Sequence, residues 1–130
     1  MIEKRLLQLA VALACLVPLA TGSLGVLSGP AFLAQPPAVP RDLDSHFRYL
    51  SGIFLGVGIA FTTCIPTIEA KGPRFRLLGA FVVAGGLARL ASVAAVGVPS
   101  GGHLFGLVME LGVVPVLLLW QASVARRLPA

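Results

Sequence analysis

Charged side chains are scarce in this sequence. Of its 130 residues only 12% are charged, whereas a soluble domain carries roughly a quarter. Five residues are acidic, and 57% of the chain is hydrophobic. A chain with so little charge cannot cover a surface that faces water, so the composition excludes an ordinary soluble domain.

Cysteine and the usual catalytic motifs are also sparse or absent. The two cysteines, Cys15 and Cys64, lie inside apolar stretches without a Cys-x-x-Cys or Cys/His cluster, which predicts two separate lipid-buried thiols. The basic residues lie singly or in pairs, without interleaved aromatics that would stack bases, which argues against nucleic acid. No Gly-x-Ser-x-Gly, His-Glu-x-x-His or phosphate-binding glycine loop is present, so nothing supports catalysis. We predict no cofactor and no metal site.

Long apolar runs are what the sequence has instead. At about 20 apolar residues per crossing, the chain has room for about four spans. The pattern predicts an all-α membrane protein, a four-transmembrane-helix bundle in a single membrane domain of residues 1–130. The predicted spans are residues 6–27, 46–68, 77–98 and 103–124, joined by an outer proline-rich loop (28–43), a cytoplasmic loop (69–76) and an outer turn (99–102).

The first span has an alternative interpretation as a cleaved signal peptide. Lys4 and Arg5 precede an apolar core, and Ala20-Thr21-Gly22 offers small residues near a cleavage point. A lipidated cysteine is a further alternative, but Ala12-Leu13-Ala14-Cys15 lacks the leucine usually found three positions earlier. We therefore expect an uncleaved first span.

The distribution of lysine and arginine predicts the orientation. Seven basic residues fall on one side of the predicted bundle and two, Arg41 and Arg48, on the other. The seven are Lys4, Arg5, Lys71, Arg74, Arg76, Arg126 and Arg127. Because the positive side faces the cytoplasm, we expect both termini to be cytoplasmic and the proline-rich loop and the Gly101 turn to face outward.

Small residues recur at helical spacing and predict close helix contacts. Glycine pairs four residues apart are Gly25 and Gly29, Gly52 and Gly56, and Gly102 and Gly106. Ala80, Ala84, Ala88 and Ser92 form a small-residue stripe on the third span. These patterns indicate a tight bundle or a homodimer seam, and Pro18, Pro66 and Pro115 are expected to kink their spans.

The outer half of the predicted bundle holds an unusual set of polar residues. Arg89 and Glu110 lie at matching depth on neighbouring antiparallel spans, so an ion pair is the simplest way to neutralise both. Asp44 and Arg48 share a face at the start of the second span, and His103 shares a face with Glu110. We expect these residues, with His46 nearby, to form one outward-opening polar patch.

This polar network has one structural and three functional interpretations. It fixes helix register, or Arg48 and Arg89 bind an anionic or carbonyl-bearing ligand such as a lipid headgroup or quinone. In the third interpretation His46, His103, Asp44 and Glu110 hold a metal, or the two histidines a haem. In the fourth, Glu110 carries a proton in a small transporter, although no second intramembrane acid or inverted repeat is visible.

Three segments resemble a known family. They are Leu43-Asp44-Ser45-His46-Phe47-Arg48-Tyr49-Leu50-Ser51-Gly52, Gly85-Gly86-Leu87-Ala88-Arg89 and Met109-Glu110-Leu111. The chain resembles small bacterial membrane proteins known only as a domain of unknown function and grouped with the DoxX-like proteins. The resemblance implies a four-helix bundle. Some DoxX-like relatives are linked to oxidoreductase complexes or thiol redox balance, but the spacing and setting of Cys15 and Cys64 do not match a redox pair.

Taken together, the sequence predicts a multi-pass protein of the bacterial inner membrane that acts as an interaction or accessory subunit. Its expected partners are the lipid bilayer and a larger membrane complex or a homo-oligomer, and no nucleic acid. A lipid- or quinone-binding module with an outer-half pocket is the alternative. A small transporter or a redox-associated DoxX-like protein is a weaker alternative.

Overall fold

The computed structural model describes residues 1–33 and 38–128. Within these ranges the chain is all-helical, and no strand is present. The elements are α1 (Ile2–Ser28), a 3₁₀ turn (Gly29–Phe32), α2 (Arg41–Thr62), α3 (Gly72–Val96), α4 (Gly101–Val108), a π-helical segment (Met109–Val113) and α5 (Val114–Arg127). The last three form one uninterrupted helical run, so the described residues form four helices, and the all-α prediction is confirmed.

Three of these helices are long and apolar enough to cross a membrane. They are the runs Ile2–Phe32, Gly72–Val96 and Gly101–Arg127. Their large apolar side chains are mostly exposed, among them Leu13, Leu16, Phe81, Leu87 and Leu119. So much exposed apolar surface is unfavourable in water and favourable in lipid. The helices therefore indicate a membrane protein.

Helix α2, the predicted second span, is not among the three. It covers Arg41–Thr62 rather than 46–68, so it begins five residues before the predicted start and ends six residues before the predicted end. At its end the hydroxyls of Thr62 and Thr63 donate to carbonyls of the preceding turn at 2.6 Å, which competes with further helical bonds. Its uncharged part, residues 49–62, is roughly 21 Å long at 1.5 Å per residue, short of the approximately 30 Å hydrocarbon core.

The boundaries of α3 follow local chemistry. The helix begins at Gly72, earlier than the predicted residue 77, because Pro73 in the first turn has the φ of a helix and needs no partner for a missing N–H. It ends at Val96, and the next residue, Gly97, adopts a φ of 102°. Glycine takes that conformation without strain. Pro36 and Pro37 of the predicted proline-rich loop lie outside the described residues.

The chain divides into two compact units, Leu9–Ile65 and Met1–Gln8 with Pro66–Ala130. In the first, α1 and α2 pack through glycines. Gly22 lies against Leu55, Gly25 against Ser51, and Gly58 against Pro18. Of the predicted glycine pairs, Gly25 makes a close contact as expected, but a Cβ built on Gly56 would meet open space.

In the second unit α3 packs against the π-helical segment and α5. Gly79 of α3 lies against Leu118, and Gly86 against Glu110 and Leu111. Phe75, Leu78, Leu117 and Val124 are buried there. The predicted stripe Ala80, Ala84, Ala88 and Ser92 is exposed instead. The rotation of α3 about its own axis explains this difference. The bulky side chains of Phe75 and Leu78 lie on the opposite, buried face of α3, and Gly79 and Gly86 share that face.

Candidate functional site

Arg89 of α3 and Glu110 of the π-helical segment meet in two parallel hydrogen bonds. Arg89 Nε donates to Glu110 Oε2 and Nη2 to Oε1, each at 3.0 Å. The glutamate side chain is 9% exposed and the arginine side chain 31%. Bidentate geometry is the strongest arrangement of this ion pair. The carboxylate is therefore neutralised inside the unit, as the matching depths predicted.

His103 of α4, in the same helical run as Glu110, adds a third side chain to this pair. Arg89 Nη1 lies 2.7 Å from His103 Nδ1. A guanidinium has donors only, so Nδ1 is the acceptor in this hydrogen bond. Arg89, His103 and Glu110 thus form one hydrogen-bonded cluster, which we call the Arg89 cluster. It ties α3 to the helical run that follows the turn at Gly101.

The π-helical segment directs Glu110 inward. Pro115 has no N–H and its ring conflicts with the carbonyl four residues earlier, in Leu111. The backbone widens here, and the Val114 N–H bonds to the carbonyl of Met109, five residues back. A π bulge thus lies directly before Pro115; whether the span is kinked there stays a prediction. Such bulges are frequent at functional sites, and a proline five residues after the acid of an apolar run is the sequence signal for this one.

The second polar group belongs to the α1–α2 unit. Arg48 Nε donates to Asp44 Oδ2 at 2.9 Å, and Nη1 donates to the carbonyls of Val26 and Leu27 at 2.9 and 3.1 Å. These carbonyls end α1 and lack intrahelical partners. Gly29, with a φ of 58°, brings the chain close to both charged side chains. Arg48 therefore caps α1 from the neighbouring helix.

Loss of this cap gives the first testable prediction. Arg48→Ala should lower the free energy of unfolding by about 1–2 kcal/mol, because carbonyls at the end of α1 lose their donor. The measurement is the midpoint of denaturant-induced unfolding in detergent. Arg41→Ala, at an exposed arginine on the same helix, is the control and should change stability by less than about 0.5 kcal/mol. Equal losses for both variants would remove the capping role.

The remaining predicted site residue is His46. It is exposed and lines a shallow, open recess with Asp42, Ser45 and Tyr49 on one face of α2. This recess includes neither Asp44 nor Arg48. The predicted convergence of Asp44 and Arg48 with the Arg89 cluster stays a prediction, because the two groups belong to different units.

Metal and thiol chemistry gain no support from the described residues. No group of three or more His, Cys, Asp or Glu there is placed to hold a metal ion. Asp44 and Glu110, two of the proposed ligands, are each bound to an arginine. Cys15 and Cys64 are both buried and form no disulfide.

Two polar contacts that the sequence did not predict hold the turn after α2. Gln121 of α5 is fully buried, and its Nε2 donates to the Ile68 carbonyl at 2.8 Å. Lys4 Nζ donates to Glu69 Oε1 at 2.8 Å. An amide in the last span and an acid after α2 were the available signals, but their partners lie 53 and 65 residues away, which periodicity cannot connect.

The Lys4–Glu69 pair predicts a pH dependence of stability. The hydrogen bond from Lys4 holds the pKa of Glu69 below its ordinary value of 4.5. A lowered folded-state pKa adds stability that is complete above the ordinary pKa and is lost as pH falls through the folded-state pKa. The stability difference between wild type and Glu69→Gln, measured by unfolding from about pH 7 to pH 3, should therefore shrink in acid. A difference that grows in acid would contradict the pairing.

Comparison with known proteins identifies a family. A family model described as a domain of unknown function (DUF4345) matches residues 6–121. No curated protein and no solved structure matches the chain. The matched range includes α2, α3, the whole Arg89 cluster and both cysteines. The chain therefore belongs to the family described as Domain of unknown function (DUF4345).

Proposed function

We propose that this chain is an accessory protein of a larger membrane complex or homo-oligomer, which it joins through the apolar faces of its helices. The observation that carries the proposal is that the polar side chains of each unit form hydrogen bonds with one another. Arg89, His103 and Glu110 bind one another, and Arg48 binds Asp44 and the end of α1. With these groups used inside each unit, the exposed apolar surface offers the larger recognition area.

The test is copurification in mild detergent followed by mass spectrometry. A stoichiometric partner, or a defined homo-oligomer, is expected. Ala84→Leu adds bulk to an exposed face of α3 and should release the partner. Arg41→Gln changes an exposed charged position of α2 and serves as the control. A chain that purifies alone as a monomer would overturn the proposal.

The proposal includes a topology. We place the chain in the bacterial inner membrane with four spans and both ends in the cytoplasm, and we retain its grouping with DoxX-like proteins. The seven-to-two distribution of basic residues supports the orientation. Arg48 and Tyr49 at the outer part of α2 would reach the headgroup region and compensate for its short apolar part. A reporter fused at Gly101 that proved cytoplasmic would overturn this arrangement.

A lipid- or quinone-binding module is the second candidate. The supporting observation is that the Arg89 side chain remains 31% exposed although it is bonded to Glu110 and His103. Its guanidinium has five N–H donors, so donors remain for a phosphate or carbonyl oxygen. This candidate predicts a lipid or quinone retained after purification without a partner, and its loss in Arg89→Lys, which has no planar fork.

A proton-carrying role for Glu110 has less support. Both carboxylate oxygens accept hydrogen bonds from Arg89, so a proton on either oxygen would replace an existing ionic hydrogen bond. The two buried cysteines likewise offer no accessible thiol for a redox-associated role. Neither alternative is part of the proposal.

A further inference from the structure

The excess positive charge of the chain is concentrated at one end of one unit. Two ion pairs define this end: Lys4 with Glu69 and Arg127 with Glu3, both at 2.8 Å. They bring together the start of α1, the turn before α3 and the end of α5. We call this region the basic end, and its cations are Lys4, Arg5, Lys71, Arg74, Arg76, Arg126 and Arg127.

The basic end accounts for the entire formal charge of +5. Elsewhere three arginines are balanced by three acids, and two of these arginines are paired with two of the acids in the structure, Arg48 with Asp44 and Arg89 with Glu110. At the basic end the two acids, Glu3 and Glu69, are already occupied by Arg127 and Lys4. Among the described residues, each of these two acids is thus already paired with one cation.

Four cations of the basic end have no ion-pair partner among the described residues: Arg5, Lys71, Arg76 and Arg126. Arg5, Arg76 and Arg126 are exposed. Arg76 Nη1 extends back over the buried Gly72, 3.0 Å from where a Cβ would stand, so it lies at the start of α3, which packs against α5. A rule of membrane orientation requires basic residues on one side, but it does not require them to be without an ion-pair partner.

Exposed apolar side chains adjoin these cations. Leu6 follows Arg5 and is 52% exposed, and Leu77 follows Arg76 and is 57% exposed. A nucleic acid or an acidic protein segment would bind the basic side chains but leave the apolar side chains of Leu6 and Leu77 exposed. An anionic phospholipid uses both features, with its phosphate on the arginines and its acyl chains along the leucines.

We propose that the basic end binds anionic phospholipids, with the headgroup phosphate held by Arg5, Arg76 and Arg126 and the acyl chains lying along Leu6 and Leu77. This inference is independent of the proposed accessory function. It concerns a different end of the chain from the Arg89 cluster and requires no protein partner.

Fluorescence quenching tests this proposal, since the chain has one tryptophan, Trp120 of α5. The purified chain is placed in nanodiscs of phosphatidylcholine mixed with brominated phosphatidylglycerol, and in matched discs whose phosphatidylcholine is brominated. Preferred binding of phosphatidylglycerol should give stronger quenching at equal mole fraction. The preference should weaken with salt, because exposed charges are screened over about 10 Å at 0.1 M.

The test variant is Arg76→Gln with Arg126→Gln, and the control is Arg41→Gln, an exposed arginine of the other unit. A basic residue near an anionic surface contributes about 1 kcal/mol, so each substitution should lower the preference up to about fivefold. The control should leave it unchanged. If the double variant does not fold, as judged by circular dichroism, Arg5→Gln takes its place.

Three results would overturn the proposal. The first is equal quenching by the two brominated lipids, and the second is a preference that persists in the double variant. The third is displacement of brominated phosphatidylglycerol by millimolar inorganic phosphate or by a short oligonucleotide, which would assign the basic end to a soluble anion instead.

Discussion

Removing Arg89 alone is expected to destabilise the protein more than removing Arg89 and Glu110 together. Arg89→Ala should lower the free energy of unfolding by about 3 kcal/mol, and Glu110→Ala by a similar amount, because each variant leaves one uncompensated charge in a low-dielectric setting. The double variant removes both charges and should lose less than either single variant. Unfolding midpoints in detergent, at equal protein and detergent concentration, measure all three.

The physical basis is the geometry of the Arg89 cluster. Glu110 is 7% exposed, and both of its oxygens accept hydrogen bonds from Arg89. Without the guanidinium the carboxylate cannot reach water easily. His103 would also lose the donor to its Nδ1. Arg89→Lys keeps the charge but cannot form two parallel bonds, so its stability should fall between wild type and Arg89→Ala.

Arg126→Ala is the matched control, since it removes an exposed arginine of the same unit that has no described ion-pair partner. Its effect should stay within about 0.5 kcal/mol. If the losses of Arg89→Ala and Glu110→Ala simply add in the double variant, the two residues are not coupled, and the cluster does not fix the packing of α3 against the last helix.

Two kinds of information made parts of this structure predictable. One is composition, and the other is the single charged residues inside apolar runs, whose burial is unfavourable unless they are paired. Long apolar runs predict helices because backbone polar groups must bond within the segment in lipid. The Arg89–Glu110 pair was predictable because two opposite charges inside apolar runs have few other ways to be neutralised. Both inferences need only the type of each residue and its depth along a helix.

The features that the sequence did not predict depend on which helix faces pack together and on which backbone groups form hydrogen bonds with side chains. The stripe from Ala80 to Ser92 and the pair Gly79 and Gly86 are equally plausible contact faces by spacing, and the bulk of Phe75 and Leu78 decides between them. The early end of α2 depends on the hydroxyls of Thr62 and Thr63. The burial of Gln121 depends on a carbonyl far along the chain, that of Ile68.

The two adjacent glycines of α3 provide the second large prediction. A Cβ on Gly86 would lie 2.7 Å from Glu110 Cβ and within 3.0 Å of Leu111, whereas a Cβ on Gly85 would meet nothing within 4 Å. Gly86→Leu should therefore lower the free energy of unfolding by about 3 kcal/mol through overpacking. Gly85→Leu should be neutral or stabilising by up to about 1 kcal/mol, because leucine favours a helix more than glycine does.

The two variants have the same composition and differ by one position, so hydrophobicity and helix propensity cancel in the comparison. What remains is the close approach of α3 to the π-helical segment, which places Glu110 within reach of Arg89. Unfolding midpoints should separate the variants by about 3 kcal/mol or more. Equal stability would mean that α3 and the π-helical segment do not pack at Gly86, and the position of Glu110 would then need another explanation.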